Sequence, residues 1–165
     1  MRISSPSGLA VELTSAGSLR RMQFGSTCIN LFLGNEVEGG PTNIYLRRTD
    51  TREFVPLLGP QSPTAFSAES ERRIVGEGRW HGLHYRIELC LASDVAAWFW
   101  HVWIANESSD PQRVDLIHAQ DIALAPYAMV RTNDYYVSQY VDRAPLVHPQ
   151  RGTVIASRQN LPANG

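Results

Sequence analysis

The chain contains no lysine, and all 15 of its basic residues are arginine. Set against 16 acidic residues they leave a net charge of -1, which gives nucleic acid or an anionic membrane surface no electrostatic hold. Arginine presents a planar fork suited to carboxylate and phosphate, but a preference this uniform reads most simply as codon bias in a GC-rich genome. Cysteine is nearly absent. Cys28 and Cys90 stand alone, without C-x-x-C spacing or histidines at ligand intervals, so neither a disulfide framework nor a zinc site is expected. They read as buried thiols in a reducing compartment. No stretch approaches the ~18 apolar residues of a membrane helix, and the opening MRISSPSGLAVEL lacks the apolar run of a signal peptide. A cytoplasmic location, no membrane partner and no cofactor are therefore expected.

Helical periodicity is also missing. No i, i+3, i+4 apolar pattern persists beyond about two turns, whereas alternation with period two recurs throughout, punctuated by glycine and proline at short intervals. The reading is an all-β chain, one antiparallel sandwich domain over residues 1–165. At this length roughly two thirds of the unfolded surface can be buried without disulfides or metal. The final SRQNLPANG is polar and carries no closing element, so the domain is expected to be the N-terminal piece of a longer chain.

What the chain has in abundance is aromatic residues in one place: WFWHVW, 98–103. With NESSDPQ as the turn and RVDLIHAQDIAL returning, a hairpin is expected in which Ile104 faces Val114, Val102 Leu116, Trp100 His118 and Trp98 Gln120. Both faces of the first strand are apolar, which predicts a central strand covered on each side, with its rings in the core and some lining a sugar site. HGLHYRIELCLA places Leu83, Tyr85, Ile87, Leu89 and Leu91 on one drier face. SERRIVGEGRW is a further strand, and INLFLGNEVEGGPTNIYLRR reads as two more joined across Gly39-Gly40-Pro41.

Few constellations suggest chemistry. His81 and His84 have an odd offset that sends them to opposite faces of a strand, and the Gly82 between them suggests a turn, which argues against a metal pair. Glu69 and Glu71, followed by Arg72 and Arg73, read as a solvated edge. His101 and His118 read as neutral histidines within apolar strands, or as contacts to sugar hydroxyls. TNDYYVSQYVDRAP, 132–145, reads as a strand with Tyr136, Ser138, Tyr140 and Asp142 on one face, where rings and hydroxyl acceptors together suit a sugar.

INLFLGNEVEGGPTNIYLRR, FVPLLGPQSP at 54–63, the W-x-W-x-x-I-x-N segment ending at Asn106, and MVRTNDYYVSQYVDRAPLV with SRQN resemble the N-terminal β-sandwich domain of the glycoside hydrolase family 94 phosphorylases, formerly glycosyltransferase family 36. The likeness is to the 1,2-β-oligoglucan phosphorylases and the cyclic β-1,2-glucan synthases. It implies a galactose mutarotase-like supersandwich, possible dimerisation, a β-glucan or glucose-containing oligosaccharide as partner, and inverting phosphorolysis to α-glucose 1-phosphate. There phosphate replaces the base-activated water of an inverting hydrolase, and a carboxylic acid of an (α/α)6 barrel protonates the leaving oxygen. That barrel is not in this chain, so phosphate would be engaged only through the missing domain and no catalytic residue is carried over. The supersandwich would be incomplete at this length. Tyr136, Tyr140, Asp142, Arg143, Trp103 and His101 are the residues expected to support glucan binding. A stand-alone carbohydrate-binding module and an aldose-epimerase-type enzyme, with His101 or His118 as acid and no matched carboxylate base, are the alternatives.

Overall fold

In the computed structural model, which describes residues 1–161, a first sheet is begun by β1 (Arg2–Ser4), β2 (Leu9–Leu13), β3 (Leu19–Phe24) and β4 (Thr27–Cys28). A second starts with β5 (Asn43–Arg48) and β6 (Phe54–Pro56). The third is continuous in sequence: β7 (Ala65–Ser70), β8 (Arg73–Trp80), β9 (Leu83–Leu91) and β10 (Trp98–Asn106). β11 (Val114–Ala119) then joins the second sheet beside β5, and β12 (Ala125–Pro126) joins the first beside β4. Two short helices, α1 (Tyr127–Thr132) and α2 (Asp134–Ser138), lead into a ribbon of β13 (Val141–His148) and β14 (Gly152–Gln159). Every strand pairing is antiparallel, so the all-β antiparallel class read from the sequence is the one that forms. No helix among the described residues is long and apolar enough to cross a membrane.

The layers follow from the alternation in β9. Leu83, Tyr85, Ile87, Leu89 and Leu91 are all buried on one face. Leu89 and Leu91 pack with Ile3, Val11, Leu13 and Met22 of the first sheet, whereas Leu83, Tyr85 and Ile87 pack with Ile44, Leu46 and Val55 of the second. The third sheet is therefore one layer of a sandwich, and the first and second sheets lie side by side as the other. Tyr85 is fully buried, its hydroxyl 2.9 Å from Thr64 Oγ1. Gly78, its register partner on β8, leaves room for the ring: a Cβ there would fall 2.3 Å from the hydroxyl oxygen. The β8–β9 hairpin turns on His81 and Gly82, both at positive φ (49° and 78°), as a two-residue turn of the primed type requires. His81 therefore belongs to a turn, and β9 begins with one dry face, as its sequence predicts.

Three expectations are corrected. β10 does not form a hairpin with β11: it pairs with β9 over its whole length, and β11 pairs with β5. The connection 107–113 crosses from one layer to the other, and Asn106 organises its start by accepting from the Ser108 N–H at 3.0 Å and donating to the Asp110 carbonyl at 2.8 Å. β10 is consequently an edge strand, covered on one face only. Residues 29–42 form one loop before β5 in place of a strand and a turn, because side chains take over the hydrogen bonds a ladder would make. The Asp121 carboxylate accepts the Leu31 N–H at 2.8 Å and the Phe32 N–H at 2.5 Å, and it also bonds Thr42, while Asn30 bridges Met22 N–H and the Phe32 carbonyl at 2.7 and 2.6 Å. Finally, 134–138 is helical: the Asn133 side chain accepts the Tyr136 N–H and caps α2.

Leu89→Ala should cost about 2–5 kcal/mol, the usual range for emptying a closed leucine site, and Gly78→Ala should also destabilise by forcing Tyr85 out of place. Urea unfolding followed by tryptophan fluorescence checks both. Asp121→Ala should raise the hydrogen exchange rates of the Leu31 and Phe32 amides with little effect on those of β9.

Candidate functional site

Because β10 is an edge strand with one buried face, alternation divides its aromatic cluster in two. Trp98, Trp100, Val102 and Ile104 point into the sandwich and pack on its core. Phe99, His101 and Trp103 point outward, and Phe99 and Trp103 remain 52% and 50% exposed. Their rings form a ladder along the strand: Phe99 and His101 centroids lie 6.2 Å apart, and His101 and Trp103 lie 5.8 Å apart and stack at 19°. His101, expected inside an apolar strand, is therefore a surface ring, whereas His118 on β11, in register with buried Ile44, keeps an exposed edge while desolvation lowers its pKa below the ordinary histidine value.

Beside the ladder runs a polar strip supplied by the neighbouring strands. Register sets Phe99 next to Cys90, His101 next to Glu88 and Trp103 next to Arg86. Arg73, Val75 and Glu77 follow on β8. Glu88 is buried at 7% exposure beside the equally buried Val75, its carboxylate 2.9 Å from Arg73 Nε and accepting from the Cys90 thiol at 2.6 Å. Arg86 bonds Glu77 at 2.6 Å and Glu69 at 3.3 Å. Glu69 thus sits in the edge network read from the sequence. A face of stacked rings flanked by fixed carboxylates and guanidinium groups can hold the CH surface of a sugar and meet its hydroxyls. The arrangement is not that of a free acid and base: Glu88, the carboxylate in register with His101, is committed to Arg73 and Cys90. Nor are the thiols activated as nucleophiles. Burial pushes Cys28 up to about 11, and burial together with Glu88 also raises Cys90, so both are protonated near neutral pH.

The tyrosine group expected on a strand face forms by a different route. Tyr136 and Tyr140 are four residues apart across the helical turn and the residues after it, which brings their rings to 5.0 Å at 60°. The two rings meet by helical spacing, not by the strand alternation expected from the sequence. The Tyr136 hydroxyl beside Tyr140 raises the Tyr140 phenol above its ordinary value. Asp142 lies on β13, hydrogen-bonded to the Asn160 amide, and Arg143 follows it opposite Ser157. Among the described residues no hydrogen bond or ring contact joins this group to the β10 ladder. The six expected residues thus fall into two clusters, Trp103 with His101 and Tyr136 with Tyr140, while Asp142 and Arg143 continue from the second onto the ribbon.

One concavity went unread in the sequence. The loop before β5 and the segment after β6 enclose a cleft of about 430 Å³ against Tyr45 and Phe54, with Glu38 and Gln61 at its polar side. The two rings meet edge to face at 5.9 Å. Gly39-Gly40-Pro41, read as a hairpin turn, is instead a close approach: a Cβ on Gly40, at φ 73°, would fall 2.4 Å from the Phe32 ring. Only the alternation of Tyr45 against Ile44 and Leu46 hinted that this ring faces outward.

The family described as SOGP N-terminal domain matches residues 12–165. A 1,2-beta-oligoglucan phosphorylase of Listeria innocua serovar 6a is 28% identical over 160 residues, an alignment that covers 94% of this chain and 14% of that protein. The chain therefore spans about 14% of the length of that relative.

Replacing Arg73, whose side chain is half exposed, with Ala should leave the buried Glu88 carboxylate without its cation and lower the unfolding temperature, whereas Glu88→Gln with Arg73→Ala should cost less than the sum of the two single changes. Thermal unfolding of the three variants measures the coupling.

Proposed function

The chain belongs to the SOGP N-terminal domain family, and on that premise we propose that it is the non-catalytic, carbohydrate-associated β-sandwich domain of a longer, cytoplasmic β-glucan phosphorylase. The chemistry, attack of inorganic phosphate on the anomeric carbon with an acid protonating the leaving oxygen, belongs on this reading to a part of the enzyme outside residues 1–165. The similarity to a 1,2-beta-oligoglucan phosphorylase supports the assignment of substrate class.

Within the domain, the glucan contact is assigned to the Phe99, His101 and Trp103 ladder. The observation that carries this is the exposure of three aligned rings on an edge strand, which burial alone would not favour: a fully buried large apolar side chain contributes roughly 1.5–3 kcal/mol that these rings forgo in part. Sugar CH faces would stack on the ladder while hydroxyls reach Arg86 and Glu77. Tyr136, Tyr140, Asp142 and Arg143 serve as a secondary contact with the same chemistry. A stand-alone binding module would use the same ladder, and the two readings differ only in whether catalysis is carried by the same polypeptide.

Titration of the chain with β-1,2-linked glucooligosaccharides by NMR or calorimetry tests the assignment. Trp103→Ala should keep the unfolding midpoint and lose tenfold or more in affinity, about 1.4 kcal/mol. Retained affinity in Trp103→Ala with loss in Tyr45→Ala would move the contact to the cleft before β5, and an absence of any response at millimolar glucan would defeat a sugar-binding role.

A further inference from the structure

Two consecutive residues of a strand ordinarily point to opposite faces, yet Arg20 and Arg21 both reach Glu12, at 3.9 and 3.4 Å. The cause is a bulge. Glu12 pairs with Arg21 and Leu13 with Leu19, which leaves Arg20 as the extra residue and re-aims its side chain. From the other side, α1 supplies Tyr127 and Arg131, one turn apart on the helix. The Tyr127 ring lies 5.0 Å from the Arg21 guanidinium and holds it by a cation–π contact. These side chains line a cleft of about 320 Å³ on the outer face of the first sheet, in the layer opposite the aromatic ladder. Arg2, in register with Glu12 on β1, borders the same face.

The charge of the cleft departs from that of the chain, whose net charge is -1. Arg20, Arg21 and Arg131 line it with Glu12 as the one carboxylate, and Arg131 enters no ion pair among the described residues. The acidic residues of the adjoining loop, Glu36 and Glu38, hydrogen-bond Ser15 and Asn35. Glu36 and Glu38 keep their charge but do not line the cleft, so over its lining side chains it carries an excess of two positive charges in guanidinium form, the group whose fork matches the oxygens of a phosphate bidentately. A monoanion would leave one guanidinium uncompensated, whereas a dianion balances the set.

We propose that this cleft binds a phosphate dianion, either free or borne by a sugar. The site stands apart from the glucan contact in position and in chemistry, so failure of either leaves the other intact. Calorimetry and phosphorus-31 NMR of the purified chain, at constant ionic strength, would use inorganic phosphate and α-glucose 1-phosphate as probes, with neutral glucose as control. Saturable binding of both phosphates is expected, weakening for the ester as the pH falls below about 6, where it loses its second charge, and for inorganic phosphate, the weaker acid, already at a higher pH. Arg20→Ala with Arg131→Ala should lower affinity tenfold or more, and Arg151→Ala, exposed in the turn between β13 and β14, should leave it unchanged. Equal affinities for the two probes identify free phosphate as the source, and a preference for the ester identifies the sugar phosphate. Should the double variant fail to fold, Arg131→Ala alone, at an exposed helix end, gives the reading with a severalfold loss. Absence of saturable binding at tens of millimolar, or unchanged affinity in a folded variant, overturns the proposal.

Discussion

Everything in this molecule leans on the inner face of β9. Its alternate residues from Leu83 to Leu91 are buried, and they serve two different sheets: the upper part of the row closes the core with the second sheet and the lower part with the first. One strand thereby sets the separation and alignment of both halves of the opposite layer. Large side chains close-packed in this way leave no slack, so a single cavity in the row would be felt in both cores. The Tyr85 hydroxyl, satisfied by Thr64 within that row, shows the same constraint acting on a polar group: it is buried only because its partner is present.

The edge position of β10 follows from the same strand. β9 offers one remaining side for pairing, β10 takes it, and no strand among the described residues covers the far edge of β10. Alternation then sends half of an aromatic-rich run into the core and half to the surface. An edge nine residues long, with exposed rings, is a surface that proteins ordinarily protect by covering it or by using it. The glucan contact proposed for Phe99, His101 and Trp103 would be such a use. Its polar neighbours are already fixed: Glu88 by Arg73 and Cys90, Arg86 by Glu77 and Glu69. Groups held in place before a ligand arrives lose little entropy on binding, which supports the proposed glucan contact.

The loop of residues 29–42 shows how a single side chain can replace a stretch of ladder. Asp121, in the segment that carries the chain from β11 to β12, accepts two backbone amides and bonds Thr42 from the same carboxylate. Charge-assisted bonds of this kind are stronger than neutral ones, and they tie an irregular loop to the place where the first and second sheets meet. The cleft against Tyr45 and Phe54 exists because that loop is held there. The bulge at Arg20 and the helix bearing Tyr127 and Arg131 do similar work on the first sheet, where side chains distant in sequence converge on Glu12.

Local pattern in the sequence was enough for the antiparallel all-β class, for the strands β8 and β9, for the dry face of β9 and for the turn at His81 and Gly82, because period-two burial and glycine's access to positive φ are properties of neighbouring residues. It also marked Trp103, His101, Tyr136 and Tyr140 as rings worth following, although the tyrosines meet through helical spacing started by Asn133. The tertiary structure alone decided which strand pairs with which, and so whether a ring is core or surface. Alternation alone puts Trp100 and Trp103 on opposite faces of a strand, but which face is core and which stays open follows only from the pairing of β10 with β9 at the edge of its sheet. Strand pairing is set by contacts between residues far apart in the chain, and no local period records which edge a strand will find.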